Sequence, residues 1–223
     1  MSDTADPTGA PRIVVRPLAN PLPLGFLGLA GGTIILAGQQ LGWVPSAQSH
    51  LVAVAVLLVA VPLQSVASIM GFLARDAVAA TAMGTLAVTW ASIGVLTLMS
   101  PPGGRTPVLG LALFYLAAAV LVSAAVAATG KGIVVLVLGL ATVRFAVTGV
   151  YEYVGGSGWM TTAGWIGVAL CAVALYAAAA LELESMTLRT VLPTLRYGAA
   201  RTALADGATV GPVRREAGVR PQL

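Results

Sequence analysis

Six apolar stretches, each long enough to cross a bilayer, fill the chain between residues 22 and 183, and this constrains its fold more than any other feature. A spanning helix needs about 20 apolar residues to cross roughly 30 Å of hydrocarbon. The stretches read as spans over residues 23–41, 51–74, 77–99, 107–128, 132–153 and 159–183. Turn-forming breaks separate them: Pro45 with Ser46, Arg75 with Asp76, residues 100–107, residues 130–132 and residues 155–158. The pattern shows no alternation of the kind a β-barrel needs. Each unpaired backbone group in hydrocarbon costs several kcal/mol, so the spans are predicted to be helices in an all-α membrane protein. Of 223 residues, 58% are hydrophobic and 9% charged, too little polar surface for a soluble domain of this size.

The few charges set an expected orientation. Lys and Arg are retained on the cytoplasmic side of short loops. With both termini inside, that side receives Arg12, Arg16, Arg75, Lys131, Arg189, Arg196, Arg201, Arg214, Arg215 and Arg220, and the opposite side only Arg105. The net charge of +4 is therefore read as a topology signal and not as a nucleic-acid surface. The expected location is the cytoplasmic membrane, multi-pass, with N- and C-termini cytoplasmic. Three regions are expected: a polar N-terminal arm over 1–19, a transmembrane domain over 20–193, and a basic, disordered tail over 194–223 that can touch anionic lipid. The arm lacks the apolar centre of a secretory signal. Cys171 is the single cysteine and His50 the single histidine, so no disulfide, metal centre or cofactor is expected. The absence of a His and carboxylate pair, a nucleophile motif or a phosphate loop argues against an enzyme.

Polar residues within spans are costly and direct attention to function. Arg144 lies about 18 Å along the fifth span, near the midplane, where a lipid-facing Arg would cost at least about 2.5–3.5 kcal/mol. Two readings stand side by side: contact with an anion in a pore, or a tie to helix carbonyls or to an acid. Glu152 is eight residues on and about 80° around the helix, too far to pair with it directly. Gln39 and Gln40 read as interfacial amides, His50 as a solvated loop residue, and Glu152, Glu182 and Glu184 as solvated carboxylates at span ends. Trp43, Trp159 and Trp165 sit at span ends as belt residues do, whereas Trp90 lies mid-span and calls for a packing or pore explanation. Gly28 and Gly32 have the spacing that permits close helix contact.

At the start of the first span the chain reads Asn20-Pro-Leu-Pro-Leu-Gly-Phe-Leu-Gly-Leu29. Toward the other end, Ala163-Gly-Trp-Ile-Gly167 leads through Ala174-Leu-Tyr176 to Arg189-Thr-Val-Leu-Pro193. These stretches, about 40 residues together, resemble the N-terminal signature and the sixth helix of the acetate uptake transporter family. Physically, Pro21 and Pro23 are expected to bar a regular helix before Leu24, with Asn20 capping the free N–H groups. A helix start of this kind attracts anions through its dipole.

The resemblance implies six helices around a central pore in each subunit, a homo-oligomer (a hexamer), and passage of small organic anions: acetate, related short monocarboxylates or succinate, with protons as a second partner. It places an apolar constriction at Leu29, at Trp90 (or Thr89) and at Leu140, of which only Leu140 keeps the family's identity, and Ala174 is expected to border the same constriction. The family's glutamate after the Tyr176 turn falls on Leu181. Asn20, Pro21, Pro23, Gly25 and Tyr176 complete the candidate set of pore and substrate residues. Leu140 and Arg144, four apart, share a helix face, so a pore-facing Leu140 brings Arg144 to the pore and favours a carboxylate contact there. The competing expectation is a membrane interaction protein that keeps the bundle and has lost transport.

Overall fold

The computed structural model describes residues 18–187 and 190–197. The N-terminal arm up to residue 17, Arg189 and the tail from residue 198 lie outside the described residues. Six helices follow one another: α1 (Leu22–Gln40), α2 (Ser49–Leu73), α3 (Ala77–Met99), α4 (Pro107–Ala127), α5 (Gly132–Val154) and α6 (Ser157–Thr187). All are long and apolar enough to cross a membrane. The five shorter boundaries fall within two residues of those expected, because Gly, Pro and Asp punctuate them. Asp76 caps α3, its carboxylate accepting the Ala79 N–H at 3.1 Å. Gly155 and Gly156, with φ of +79° and +97°, make the abrupt turn from α5 into α6 that a side chain would strain.

Helix α6 is the exception. Its 31 residues begin two before the expected span and end four beyond it. At 1.5 Å per residue it is about 46 Å long and exceeds the hydrocarbon thickness by several turns.

Each helix packs on the next in sequence, and α6 returns to α1, so the six close into a ring. Helix α1 touches α2, α3 and α6 and is the most enclosed. Its small residues allow this. A Cβ on Gly28 would lie 3.0 Å from Leu63 Cβ, and one on Gly32 would lie 2.8 Å from Ala60 Cβ, so the expected small-residue spacing seats α1 on α2. Helices α2 and α3 meet as closely at Gly71, where a Cβ would stand 2.6 Å from the Ala80 nitrogen. The outer surface is apolar, with Leu58, Phe72, Leu111 and Tyr115 all more than 60% exposed, as lipid contact requires. Inside, the ring is filled by Trp90, Arg144, Phe26, Phe145 and Leu29, all fully buried.

The described end of the chain departs from the expected boundary at residue 193. Thr194 is 2% exposed, and Gly132 and Ile133 donate their N–H groups to the Leu195 and Thr194 carbonyls at 3.1 and 3.2 Å. A segment of residues 190–197 is thus strapped across the start of α5. The first-turn N–H groups of α5 have no intrahelical acceptor, and the strap supplies them.

Because backbone cannot give way, Gly71→Ala should destabilise the protein by about 1–3 kcal/mol. Gly139, whose added Cβ would meet nothing within 4 Å, should accept alanine with no loss. Thermal unfolding of both variants in detergent checks the contrast.

Candidate transport site

Helix α1 begins at a mouth. Asn20 Oδ1 accepts the Leu22 N–H at 3.0 Å, giving the cap its sequence implied. The helix starts at Leu22, ahead of Leu24, because Pro23 occupies its first turn, where a missing N–H sacrifices no bond. Asn20 and Pro21 line a cavity of about 690 Å³ together with the ends of α2, α5 and α6 and the strap. Pro23 and Gly25 are buried just inside. At Gly25 the Met83 side chain of α3 occupies the space that a Cβ would need.

Two ion pairs border this cavity. Lys131 Nζ meets Asp76 Oδ2 at 2.5 Å, and Arg196 meets Glu184. Glu184, expected to be solvated, is 6% exposed because α6 runs on past the span and the strap folds over it, and it also accepts the Thr194 hydroxyl at 3.1 Å. Tyr176 is not in the interior. It is 38% exposed on the outer face, and its hydroxyl donates to the Pro193 carbonyl at 3.0 Å, so it anchors the strap and does not line a pore.

On the opposite side the residues expected to be solvated are likewise engaged. His50 Nε2 donates to the Ser100 carbonyl at 2.8 Å, and Glu152 accepts the Thr106 N–H at 3.0 Å. These contacts fold the 100–107 connection back onto α2 and α5.

Halfway between the two sides lies Arg144, fully buried. Its Nη2 donates to the Thr33 carbonyl at 3.2 Å and to Gln40 Oε1 at 3.3 Å. Gln40 Nε2 in turn donates to Thr148 Oγ1 at 3.4 Å, and the Thr148 hydroxyl donates to the Arg144 carbonyl at 2.9 Å. Room for the guanidinium comes from α6, where a Cβ on Gly167 would stand 2.7 Å from Nη1. Arg144 therefore links α1, α5 and α6. Among the described residues no carboxylate pairs with it, and Nε and Nη1 have no acceptor.

Leu29, Trp90 and Ala174 are each fully buried, whereas Leu140 is only half-buried at the edge of the core. The α5 residue that meets Trp90 is Phe145, edge to face, with ring centroids 5.5 Å apart. Thr89, the alternative position on α3, is buried and turns its hydroxyl back to the Thr85 carbonyl at 2.8 Å. Sequence reading missed Thr33, Gln64, Phe145 and Thr148 and took Gln40 as interfacial. The available signal was the polar residue within an apolar span, which marks Thr33, Gln64 and Thr148 as it marks Arg144. No group of three His, Cys, Asp or Glu able to hold a metal occurs among the described residues.

No protein-family model matches the sequence, and no curated protein matches it. Among solved structures, that of the bacterial acetate channel SatP superposes with a TM-score of 0.72 at 24% identity, covering 80% of this chain and 99% of that one. This chain shares that channel's fold. The ring of six helices is thus a known membrane architecture, and almost the whole of SatP is represented in it.

The strap depends on Glu184, which holds both Arg196 and Thr194. Glu184→Ala should accelerate amide hydrogen exchange at Gly132, Ile133 and Tyr197, whose N–H groups bond to or from the strap, by at least about 10-fold, leaving the middle of α5 unchanged.

Proposed function

We propose that the chain carries small organic anions across the membrane, acetate and related short monocarboxylates first among them and succinate as a larger candidate. Passage runs through the interior of the ring, by channel-like or proton-coupled movement, and no catalysis is assigned to the chain. One observation carries the reading: a fully buried guanidinium at mid-membrane with two donor groups, Nε and Nη1, unmatched by any acceptor among the described residues. A purely structural Arg would have its N–H groups matched, because a buried, unpaired donor costs about 1–3 kcal/mol and more when charged. A permeating carboxylate that accepts from either donor makes a charge-assisted hydrogen bond, roughly twice as strong as a neutral one. The fold shared with an acetate channel and the Asn20 to Leu29 signature at the cavity support the same reading.

The apolar interior suits this class of solute. Phe26, Leu29 and Phe145 tolerate a methyl group, while a hydrated inorganic ion must be stripped to pass them. The proposal includes the cytoplasmic membrane as location and both termini on the cytoplasmic side, supported by Arg75, Lys131 and Arg196 on the side where α1 begins and Arg105 on the other. It also includes a homo-oligomer, hexameric in the family the sequence resembles. A non-transporting interaction protein is the second reading, favoured by the closure of the ring at Trp90.

Radiolabelled acetate uptake into proteoliposomes, with and without a proton gradient, decides between them. The native chain should show saturable uptake. Arg144→Gln should lower it by about two orders of magnitude with assembly intact, and Arg144→Lys should fall between, since it keeps the charge without the fork. No flux of any short carboxylate in the native protein, or undiminished flux in Arg144→Gln, overturns the proposal.

A further inference from the structure

The cavity at the start of α1 ends on three apolar side chains. Leu22 of α1, Val134 of α5 and Leu181 of α6 line it, and all three are buried. One turn further in, Phe26, Leu138 and Ala178 are buried and do not line it. A passage through the ring is therefore shut at this level by apolar groups from three separate helices. An apolar constriction of this kind excludes water and the solutes that water carries, and it conducts when its walls part.

The strap of residues 190–197 is tied to two of those helices, within a turn of the residues that shut the passage. On α6, Glu184 follows Leu181 by one turn; it binds Arg196 and accepts the Thr194 hydroxyl at 3.1 Å. On α5, the N–H of Ile133, next to Val134, donates to the Thr194 carbonyl at 3.2 Å, and that of Gly132 donates to the Leu195 carbonyl at 3.1 Å. The Tyr197 N–H returns a bond to the Gly130 carbonyl at 3.3 Å, and its hydroxyl donates to the Ala128 carbonyl at 2.7 Å. A docked strap thus holds the ends of α5 and α6 together at the level of Val134 and Leu181. The docking is of a kind that can be undone. Val191, Leu195 and Tyr197 are exposed, so polar contacts and not apolar burial hold the strap in place. Leu195 also has a φ of +52°, a left-handed conformation that its Cβ opposes and that a released chain relaxes. Strain of this sort, set against polar contacts at a water-filled mouth, brings docked and released states close in free energy.

Resting on the transport reading above, we propose that residues 190–197 are a latch on a gate formed by Leu22, Val134 and Leu181. The docked strap keeps the gate shut. Its release from Glu184 and from the first turn of α5 lets the end of α6 move off α5, which parts Leu181 from Val134 and joins the cavity to the interior of the ring. The N–H groups of Gly132 and Ile133 then pass from the strap to water, which the wide cavity admits. Lys131, paired with Asp76, keeps the start of α5 on α3 meanwhile, so α6 is the element that moves. The strap is a regulatory element at the mouth where α1 begins, and the rate of passage follows the fraction of chains in which it is released.

Two measurements on the full chain test this, both with Cys171→Ala to remove the single native thiol. In the first, Ala178→Cys places a thiol one turn behind the gate, and its reaction with a charged methanethiosulfonate is timed in detergent. Glu184→Ala and Arg196→Ala should each accelerate that reaction at least about 10-fold, as loss of a charge-assisted contact shifts an opening equilibrium. In the second, Lys131→Cys is combined with Arg196→Cys. These residues face each other in an antiparallel bridge, where Cα atoms stand about 4.5–5.5 Å apart, within reach of a disulfide. Oxidation should tether the strap and lower acetate uptake into proteoliposomes at least about 10-fold below that of the same protein reduced, and reductant should restore it. Unaltered reactivity at position 178 in both Glu184→Ala and Arg196→Ala, failure of the pair to form a disulfide, or equal, non-zero uptake by the oxidised and reduced pair overturns the latch. Accelerated reactivity at position 178 together with no flux of any short carboxylate in the native chain retains the latch and overturns transport.

Discussion

Everything at the centre of this protein is arranged around a positive charge that the membrane would otherwise reject. An Arg at the midplane is tolerated only where protein or water replaces its lost hydration. Here α1 offers the Thr33 carbonyl and the Gln40 amide, α5 offers Thr148 to hold Gln40 in place, and α6 withdraws its side chain at Gly167 to make room. Loss of the Gln40 amide would leave Nη2 with the Thr33 carbonyl alone, and a side chain at Gly167 would collide with Nη1. The arrangement is nonetheless incomplete. It fixes one nitrogen of the guanidinium, Nη2, and leaves Nε and Nη1 without an acceptor among the described residues.

The ring exists to bring those groups together. Three closely approached pairs, α1 with α2 at Gly28 and Gly32, α2 with α3 at Gly71, and α4 with α5 at Gly110 and Gly149, draw the helices inward. At the centre α1 and α5 are bridged by long side chains, Arg144 on one flank and the Trp90 and Phe145 pair on the other. Small residues thus pack closely at the seams, and large buried residues fill the axis. The strap and the two ion pairs close the wide cavity side with polar contacts, which open at less cost than packed apolar ones.

The spans were legible because hydrocarbon imposes a length and a composition that loops cannot imitate, and Gly155, Gly156 and Asp76 announce their own turns. Arg144 was legible for the complementary reason, being a charge where none is cheap. What escaped was pairing across helices. Gln40 is two residues from a turn and reads as interfacial; only the fold brings α5 beside it. Tyr176 belongs to a stretch resembling the family's sixth helix, yet its rotation on α6 faces it outward to Pro193. Leu140 illustrates the angular limit of periodicity, since 40° around a helix separates a fully buried Arg144 from a half-buried neighbour. Glu184 looked solvated because its partners, Thr194 and Arg196, lie in a segment with no span signal of its own.

The central claim is that a carboxylate comes to rest against Arg144 inside the ring. Crystals grown with 3-bromopropionate, a short monocarboxylate carrying an anomalous scatterer, test this directly. The account predicts a bromine peak within the ring about 4–6 Å from the guanidinium, with carboxylate density within hydrogen-bond distance of Nε or Nη1. A bromine peak confined to the outer surface or to the wide cavity, with the Arg144 fork unoccupied at saturating ligand, would contradict it.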